Sequence, residues 1–341
     1  MLVGGDFRQT LPVKPKLKPS AVIACTLPNS SLWQHFVVCP LLHNMRLSYL
    51  DEHAPNVAAR HEFASWLLDI GNGVVGVPDP VDPENIFDVE IPKHLLVLST
   101  ENNLQTFIDF VYPSSVLEHP TSSVLSHRVI VCPKNVTTDE INTTIINKTP
   151  GPKKHYLSVD SISAHTYRTC DLDLLYPPEY LNQLTFTGLP LHRLSLTINC
   201  PVLLIRNIDI PQGRCNGTRL LVTILLSSII EATILTGTAA GKRTYIPKIK
   251  FIHNSPDLPF VFTRKQFSLK VCYAMTINKS QGQSLDRVGV YLPEPVFSHG
   301  QLYVALSRAT SPESVKLLIL DDFGRPSTKT KNVVFKSLLT S

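Results

Sequence analysis

Ala274-Met275-Thr276-Ile277-Asn278-Lys279-Ser280-Gln281-Gly282-Gln283 is followed, after one more apolar strand, by Gly300-Gln301-Leu302-Tyr303-Val304-Ala305-Leu306-Ser307-Arg308. A short apolar run gives way to a polar turn containing Gly282, and an Arg closes the next short helix. Such an arrangement brings a hydroxyl, side-chain amides and a guanidinium to one place, a set of groups suited to nucleotide phosphates and to nucleic acid.

Outward from this stretch, strands and helices alternate. Residues 268–274, 288–292 and 315–320 read as strands, with helices predicted over 276–281 and 301–307. Far upstream, Arg128-Val129-Ile130-Val131-Cys132 is a short β-branched strand. Thr137 with Glu140 then forms a capping-box pattern, and Ile141 and Ile145 continue one helix face. Alternation of this kind predicts a buried parallel sheet in an α/β domain.

The segment between has a different texture. Residues 194–206, 219–226, 231–236 and 244–251 are short β-rich runs, and Asn216-Gly217 is a strong turn signal. They predict a small β domain inserted over 184–264. Leu2-Val3-Gly4-Gly5-Asp6-Phe7 reads as the end of a buried strand and its turn. Pro12, Pro15 and Pro19 mark a loop. Phe63, Trp66 and Leu67 fall at helical spacing with Gly71 as the stop, and 72–92 reads as a linker or surface loop.

The chain has 341 residues, enough for two or three domains, and its 43% hydrophobic and 17% charged content argues for a globular fold. A net charge of +5 permits a polyanionic partner without demanding one. Seven scattered Cys without a C-x-x-C suggest reduced thiols in an intracellular protein, and no close pair supplies half of a zinc site. No metal ligand set, signal peptide or bilayer-length apolar run is evident in the sequence, so no membrane partner is expected.

Several residues are candidates for chemistry, each beside a plainer reading. Gln9 sits where a strand of an α/β sheet ends, the edge at which ligands bind, yet taken alone it reads first as an ordinary turn. Arg46 and Arg308 are candidate cations for a γ-phosphate, although a single Arg is more often a surface ion-pair partner. Gly237-Thr238-Ala239-Ala240-Gly241-Lys242 is a near miss to the phosphate-loop pattern G-x-x-x-x-G-K-[ST] and reads as a hairpin turn. Asp321-Asp322 reads as a solvated turn. From Lys242 to Lys270, seven basic residues (Lys242, Arg243, Lys248, Lys250, Arg264, Lys265 and Lys270) interleave with Tyr245, Phe251, Phe260 and Phe262. Either a groove for single-stranded nucleic acid or a charged exterior over an aromatic core would produce that pattern.

Together these segments resemble the Pif-one (petite integration frequency) helicases, superfamily-one enzymes that move 5′ to 3′ on DNA using ATP. Gly4 to Gln9 with Leu11-Pro12-Val13 resembles the family's third motif, and Leu42 to Arg46 its fourth. Residues 207–219 are similar to the family's inserted β domain, Thr276 to Gly282 to its fifth motif, and Tyr303 to Arg308 to its sixth.

The resemblance implies a fold and a set of roles. The fold is an α/β, RecA-like parallel sheet of the P-loop NTPase type with an inserted small, SH3-like β domain. The segments expected are 1–50 from a first RecA-like domain, 51–95 helix and linker, 96–183 and 265–325 the two parts of a second RecA-like domain, 184–264 the insert, and 326–341 a tail. Gln9, Arg46 and Arg308 would be catalytic, with Arg308 an arginine finger. Gly282, Gln283 and Ser307 would bind nucleotide. Thr276, Asn278, Lys279, Ser280, Gln281 and Lys265 would bind single-stranded DNA. ATP and Mg²⁺ are the implied cofactors, DNA repair, recombination and telomere maintenance the implied processes, and nucleus or mitochondrion the implied compartment.

In the family the phosphate loop and the metal-binding acidic motif precede the third motif. The sequence therefore reads as a C-terminal portion without autonomous ATPase activity. The alternative carried with it is a non-catalytic single-strand-binding remnant, of host or Helitron-type transposon origin.

Overall fold

Arg128–Cys132 forms the buried strand that its β-branched run predicts, with every residue after Arg128 inaccessible to solvent. In the computed structural model, which describes residues 2–12, 17, 19–41, 57–99, 101–164, 175–256 and 258–339, this strand lies inside a four-stranded sheet. The order is Ala274–Thr276, Arg128–Cys132, Arg287–Leu292, Val315–Ile319. Val288 pairs in parallel with Val129 on one side and with Val315 on the other. The parallel α/β sheet expected from the alternation is thus present.

The chain divides into two units: Met1–Pro113 with His127–Asp139 and Met275–Ser341, and Ser114–Ser126 with Glu140–Ala274. In the first unit, the Asn103–Val111 helix packs on the parallel sheet through Phe107, Ile108 and Val111. Gly289 makes that approach possible, because a Cβ there would lie 2.7 Å from Phe107 Cζ and 2.9 Å from Val111 Cγ2. Arg128 Nη1 then donates to the Val111 carbonyl (2.9 Å), satisfying a helix-terminal acceptor.

A second, antiparallel sheet of the first unit joins Val77–Pro78, Ile86–Glu90 and Lys329–Val333. Residues 72–92, expected to be a loop, thus contribute a paired strand, whose inward Phe87 and Val89 are buried. The Val57–Asn72 helix includes Gly71 rather than stopping there. Gly73, in the left-handed region at φ +66°, ends it. Residues 2–7 form no strand; Leu2 is fully exposed, and among the described residues no strand pairs with them.

The Asn135–Lys148 helix begins two residues before Thr137, so the expected capping box does not form. The Thr138 hydroxyl instead donates within the first turn, to the Lys134 carbonyl (2.8 Å).

The second unit is built on seven antiparallel strands in the order Leu269–Val271, Pro201–Leu204, Arg219–Leu225, Ile229–Ile234, Arg243–His253, Phe260–Phe267, Val159–Ala164. Its two edge strands come from outside the 184–264 span of the expected insert. Gly237 and Gly241, both at positive φ, turn the hairpin between Ile229–Ile234 and Arg243–His253. That hairpin is the plainer of the two readings of the near-miss phosphate loop.

The run 268–274, expected to be one strand, is two. Leu269–Val271 pairs with Pro201–Leu204, whereas Ala274–Thr276 joins the parallel sheet. The Asn142 side chain marks the change, accepting from Ala274 N (2.8 Å) and donating to Ala274 O (3.0 Å).

Phe251, Phe260 and Phe262 are core residues; of the four interleaved aromatics only Tyr245 is exposed. Arg264 is also fully buried. Its guanidinium makes a two-point pair with Asp160 (Nε to Oδ1 2.9 Å, Nη2 to Oδ2 2.7 Å) and donates to the carbonyls of Leu181, Leu184 and Pro190. Most of the aromatic content of the basic stretch is therefore an interior, and Arg264 fastens a loop rather than facing a ligand. Among the described residues, no helix is long and apolar enough to cross a membrane.

Candidate functional site

Asp6 organises the turn that carries Gln9. Its carboxylate accepts from the Arg8 backbone N–H (3.1 Å), from Gln9 Nε2 (3.2 Å) and from the Tyr303 hydroxyl (3.3 Å), while Gln9 N donates to the Asp6 carbonyl (3.1 Å). Side-chain acceptors that bond to backbone two residues ahead are the usual reason for Asp in such turns. Burial first, and then the neighbouring Asp6 charge, push the Tyr303 phenol above its ordinary range, so it stays a neutral donor.

The turn docks on the Gln301–Leu306 helix. Gly300 has φ +72°, and a Cβ there would stand 2.3 Å from the Arg8 carbonyl oxygen. Gly71 admits the Arg8 side chain and the Tyr303 ring, each 2.9 Å from where its Cβ would be. His299 Nε2 lies 2.7 Å from the Phe7 carbonyl, and its Nδ1 accepts from Phe335 N (2.9 Å).

Gln9 then reaches the residues of the opening stretch. Gln281 Nε2 donates to Gln9 Oε1 (2.8 Å), and Thr10 Oγ1 donates to Gln281 Oε1 (3.2 Å). Thr276 ends its strand half-buried, and the expected 276–281 helix is a single 3₁₀ turn, Ile277–Ser280. Asn278 Oδ1 accepts from the buried Gln301 Nε2 (3.3 Å), whose own Oε1 accepts from Phe297 N (3.0 Å) and Ser298 N (3.3 Å). Lys279, Gln281 and Gly282 face solvent. Ser280 does not: it is fully buried and its hydroxyl donates to the Ile277 carbonyl (2.7 Å).

Arg308 lies on the other flank of the same turn. It is 4% exposed, and its Nη1 donates to the Gln283 carbonyl (2.9 Å) and more loosely to that of Ser280 (3.5 Å). Nε donates to Val304 O (2.9 Å), and Nη2 to Ser307 Oγ (2.9 Å). The guanidinium is thus turned onto backbone carbonyls and a hydroxyl. The 280–283 turn is held by Gln9 on one side and by Arg308 on the other.

Gln9, Thr276, Asn278, Ser280, Gln281, Gly282, Gln283, Ser307 and Arg308 therefore gather in the first unit. Lys265 is exposed on a strand of the second, and Arg46 lies outside the described residues. His299, Gly300 and Tyr303 join this cluster without having been singled out from sequence, whereas Asp6 is read there, with Gln9, as a polar residue at the end of a strand. Among the described residues, no group of three or more His, Cys, Asp or Glu could hold a metal ion.

Residues 1–80 match the family described as PIF1-like helicase, residues 179–225 the 2B domain of DNA helicase Pif1, and residues 253–322 the herpes helicase family. The ATP-dependent DNA helicase PIF1 of Danio rerio is 32% identical over 131 residues, which cover 38% of this chain and 20% of that protein. The ATP-dependent DNA helicase Pif1 of Campylobacter jejuni is 50% identical over 52 residues, 15% of this chain and 11% of that protein.

Among solved structures, the Pif1 helicase from Candida albicans superposes with a TM-score of 0.60 at 18% identity, covering 98% of this chain and 65% of its own. Bacteroides Pif1 in complex with ADP-AlF3 and ssDNA gives 0.55 at 18% identity, covering 95% and 63%. At such identity the likeness is one of fold. The chain spans about a fifth of the length of the Danio rerio and human relatives it matches. Three segments of the chain, in chain order, are thus similar to helicase families, two of them to PIF1-like helicases, and its fold is similar to theirs.

Proposed function

We propose that this chain works in an ATP-dependent DNA helicase that travels 5′ to 3′, with the first unit coupling nucleotide state to single-stranded DNA. One observation carries the reading. The 280–283 turn is gripped by Gln9 through Gln281 and by Arg308 through the Gln283 carbonyl. Two residues suited to a γ-phosphate thus hold one loop from both flanks.

A phosphate that drew Arg308 away would free the Gln283 carbonyl and let the turn move. A rearranged Gln9 would release Gln281. Lys279, on the same turn, would transmit the change to a phosphodiester. The guanidinium supplies charge stabilisation to the transferring phosphoryl group. Gly282 leaves the turn free to shift, since nothing lies within 4 Å of where its Cβ would be. Mg²⁺ enters this reading with the nucleotide. A DNA substrate would place the protein inside the cell, in nucleus or mitochondrion.

The second reading, a non-catalytic single-strand binder, is favoured by the inward-turned Arg308. ATP hydrolysis with and without oligo-dT, measured on this chain joined to a phosphate-loop domain of a PIF1-like helicase, separates the two. Single-strand-stimulated turnover that falls by about 10³-fold in Arg308→Ala, the low end for an arginine finger, supports the helicase. Salt-dependent binding without turnover supports the second reading, and failure to bind oligo-dT at low salt overturns both.

A further inference from the structure

His299 is buried against the Gln9 turn and joins three segments that are remote in sequence. One ring nitrogen meets the Phe7 carbonyl at 2.7 Å, across 292 residues. The other accepts from the Phe335 backbone N–H at 2.9 Å, and the ring stacks on that of Phe335 (5.3 Å between centroids, 11° between planes).

These contacts assign the tautomer. Phe335 N is a donor, so Nδ1 carries no proton; the Phe7 carbonyl is an acceptor, so Nε2 does. The ring is neutral with its single proton on Nε2. A second proton could only go to Nδ1, where it would point at the Phe335 N–H. Protonation would set donor against donor, and the site gives the charged ring no solvent.

We propose that His299 is a positioning residue whose neutral ring fixes the Gln9 turn against the Gln301–Leu306 helix, and that gaining a proton releases the turn. The Phe7 carbonyl is two residues before Gln9, and Gly300 beside His299 touches Arg8 and Gln9. Release at His299 therefore loosens Gln9 and with it the Gln9–Gln281 contact.

Charged and titratable groups from each packed element bear on this. The turn supplies Asp6 and Arg8, 3.6 Å apart, the helix supplies Tyr303, and the segment after Lys329–Val333 supplies Lys336, which sits over the Phe87 ring (4.3 Å). Burial lowers the His299 pKa from its ordinary 6.5, and the Phe7 bond and Asp6 only partly oppose it. A depressed folded-state value means that the released form binds the proton more readily. The hold is complete above about pH 6.5 and weakens as pH falls below it. The role of Gln9 rests on the proposed helicase function; the hold on the turn does not, and its test uses no activity.

Hydrogen exchange at the Gln9 amide, corrected for intrinsic rate, reads the hold on the intact chain. Protection should be level above pH 6.5 and fall by up to about tenfold per pH unit below it, the one-proton limit. His299→Gln can still donate to Phe7 but does not titrate, so protection should persist and become flat with pH. His299→Asn can meet Phe335 but cannot reach Phe7, so protection should be low throughout. Equal protection in all three proteins, or pH dependence that survives in His299→Gln, overturns the proposal. Should a variant not fold, the side-chain ¹⁵N shifts of wild-type His299 decide alone, because a proton on Nδ1 at pH 7.5 is incompatible with it.

Discussion

Gly300 occupies a position that denies a side chain twice over. Its φ of +72° is costly for an L-residue, by roughly 1–2 kcal/mol, and its Cβ would lie 2.3 Å from a backbone oxygen that cannot rotate away. Gly241 shares the conformation at φ +84° but has nothing within 4 Å. Gly300→Ala should therefore destabilise the protein by about 2 kcal/mol more than Gly241→Ala in urea unfolding, since separating the helix from the turn costs packing as well as strain. Equal losses would mean that the Gln9 turn is not firmly seated. Nothing in the sequence marks this residue or His299. A glycine before a helix is common, and the carbonyl it accommodates comes from the far end of the chain. Gln281 and Arg308 were legible because a polar turn and a terminal guanidinium carry their chemistry in their residue types.

At the scale of elements, the strands were legible where burial on both faces demanded β-branched runs, as in Arg128–Cys132 and Arg287–Leu292. The split of 268–274 was not, because both halves are apolar and only the remote Asn142 amide separates them. The basic stretch shows the same limit from the other side. Composition cannot tell a guanidinium facing a ligand from one paired in the interior, and Arg264 is the latter.

Asp160 and Arg264 pair across adjacent strands with both side chains at most 1% exposed. Asp160→Asn should cost about 3–5 kcal/mol by leaving the guanidinium without its counter-charge, read as a fall in the urea midpoint. The double variant Asp160→Leu with Arg264→Met should recover only part of that loss. A buried pair exchanged for apolar groups can be neutral, but here the Leu181, Leu184 and Pro190 carbonyls would lose their donor. Full recovery would show that those carbonyls find other partners.

Over the whole molecule, the candidate DNA-facing residues fall into two groups that the sequence lists side by side: the Thr276–Gln281 turn in the first unit and Lys265 in the second. Salt dependence can show whether one strand engages both. Each phosphate neutralised on single-stranded DNA adds about 0.7 to the slope of log Kobs against log salt. Lys279→Ala and Lys265→Ala should each reduce the slope by about 0.7, and the double variant by about 1.4, if a single oligo-dT contacts both units at once. Arg264→Met, removing a cation one residue from Lys265, should leave the slope unchanged because that guanidinium is buried against Asp160. A slope that responds to Lys279 alone would confine binding to the first unit. Lys265 would then be an exterior charge, like most of its basic neighbours.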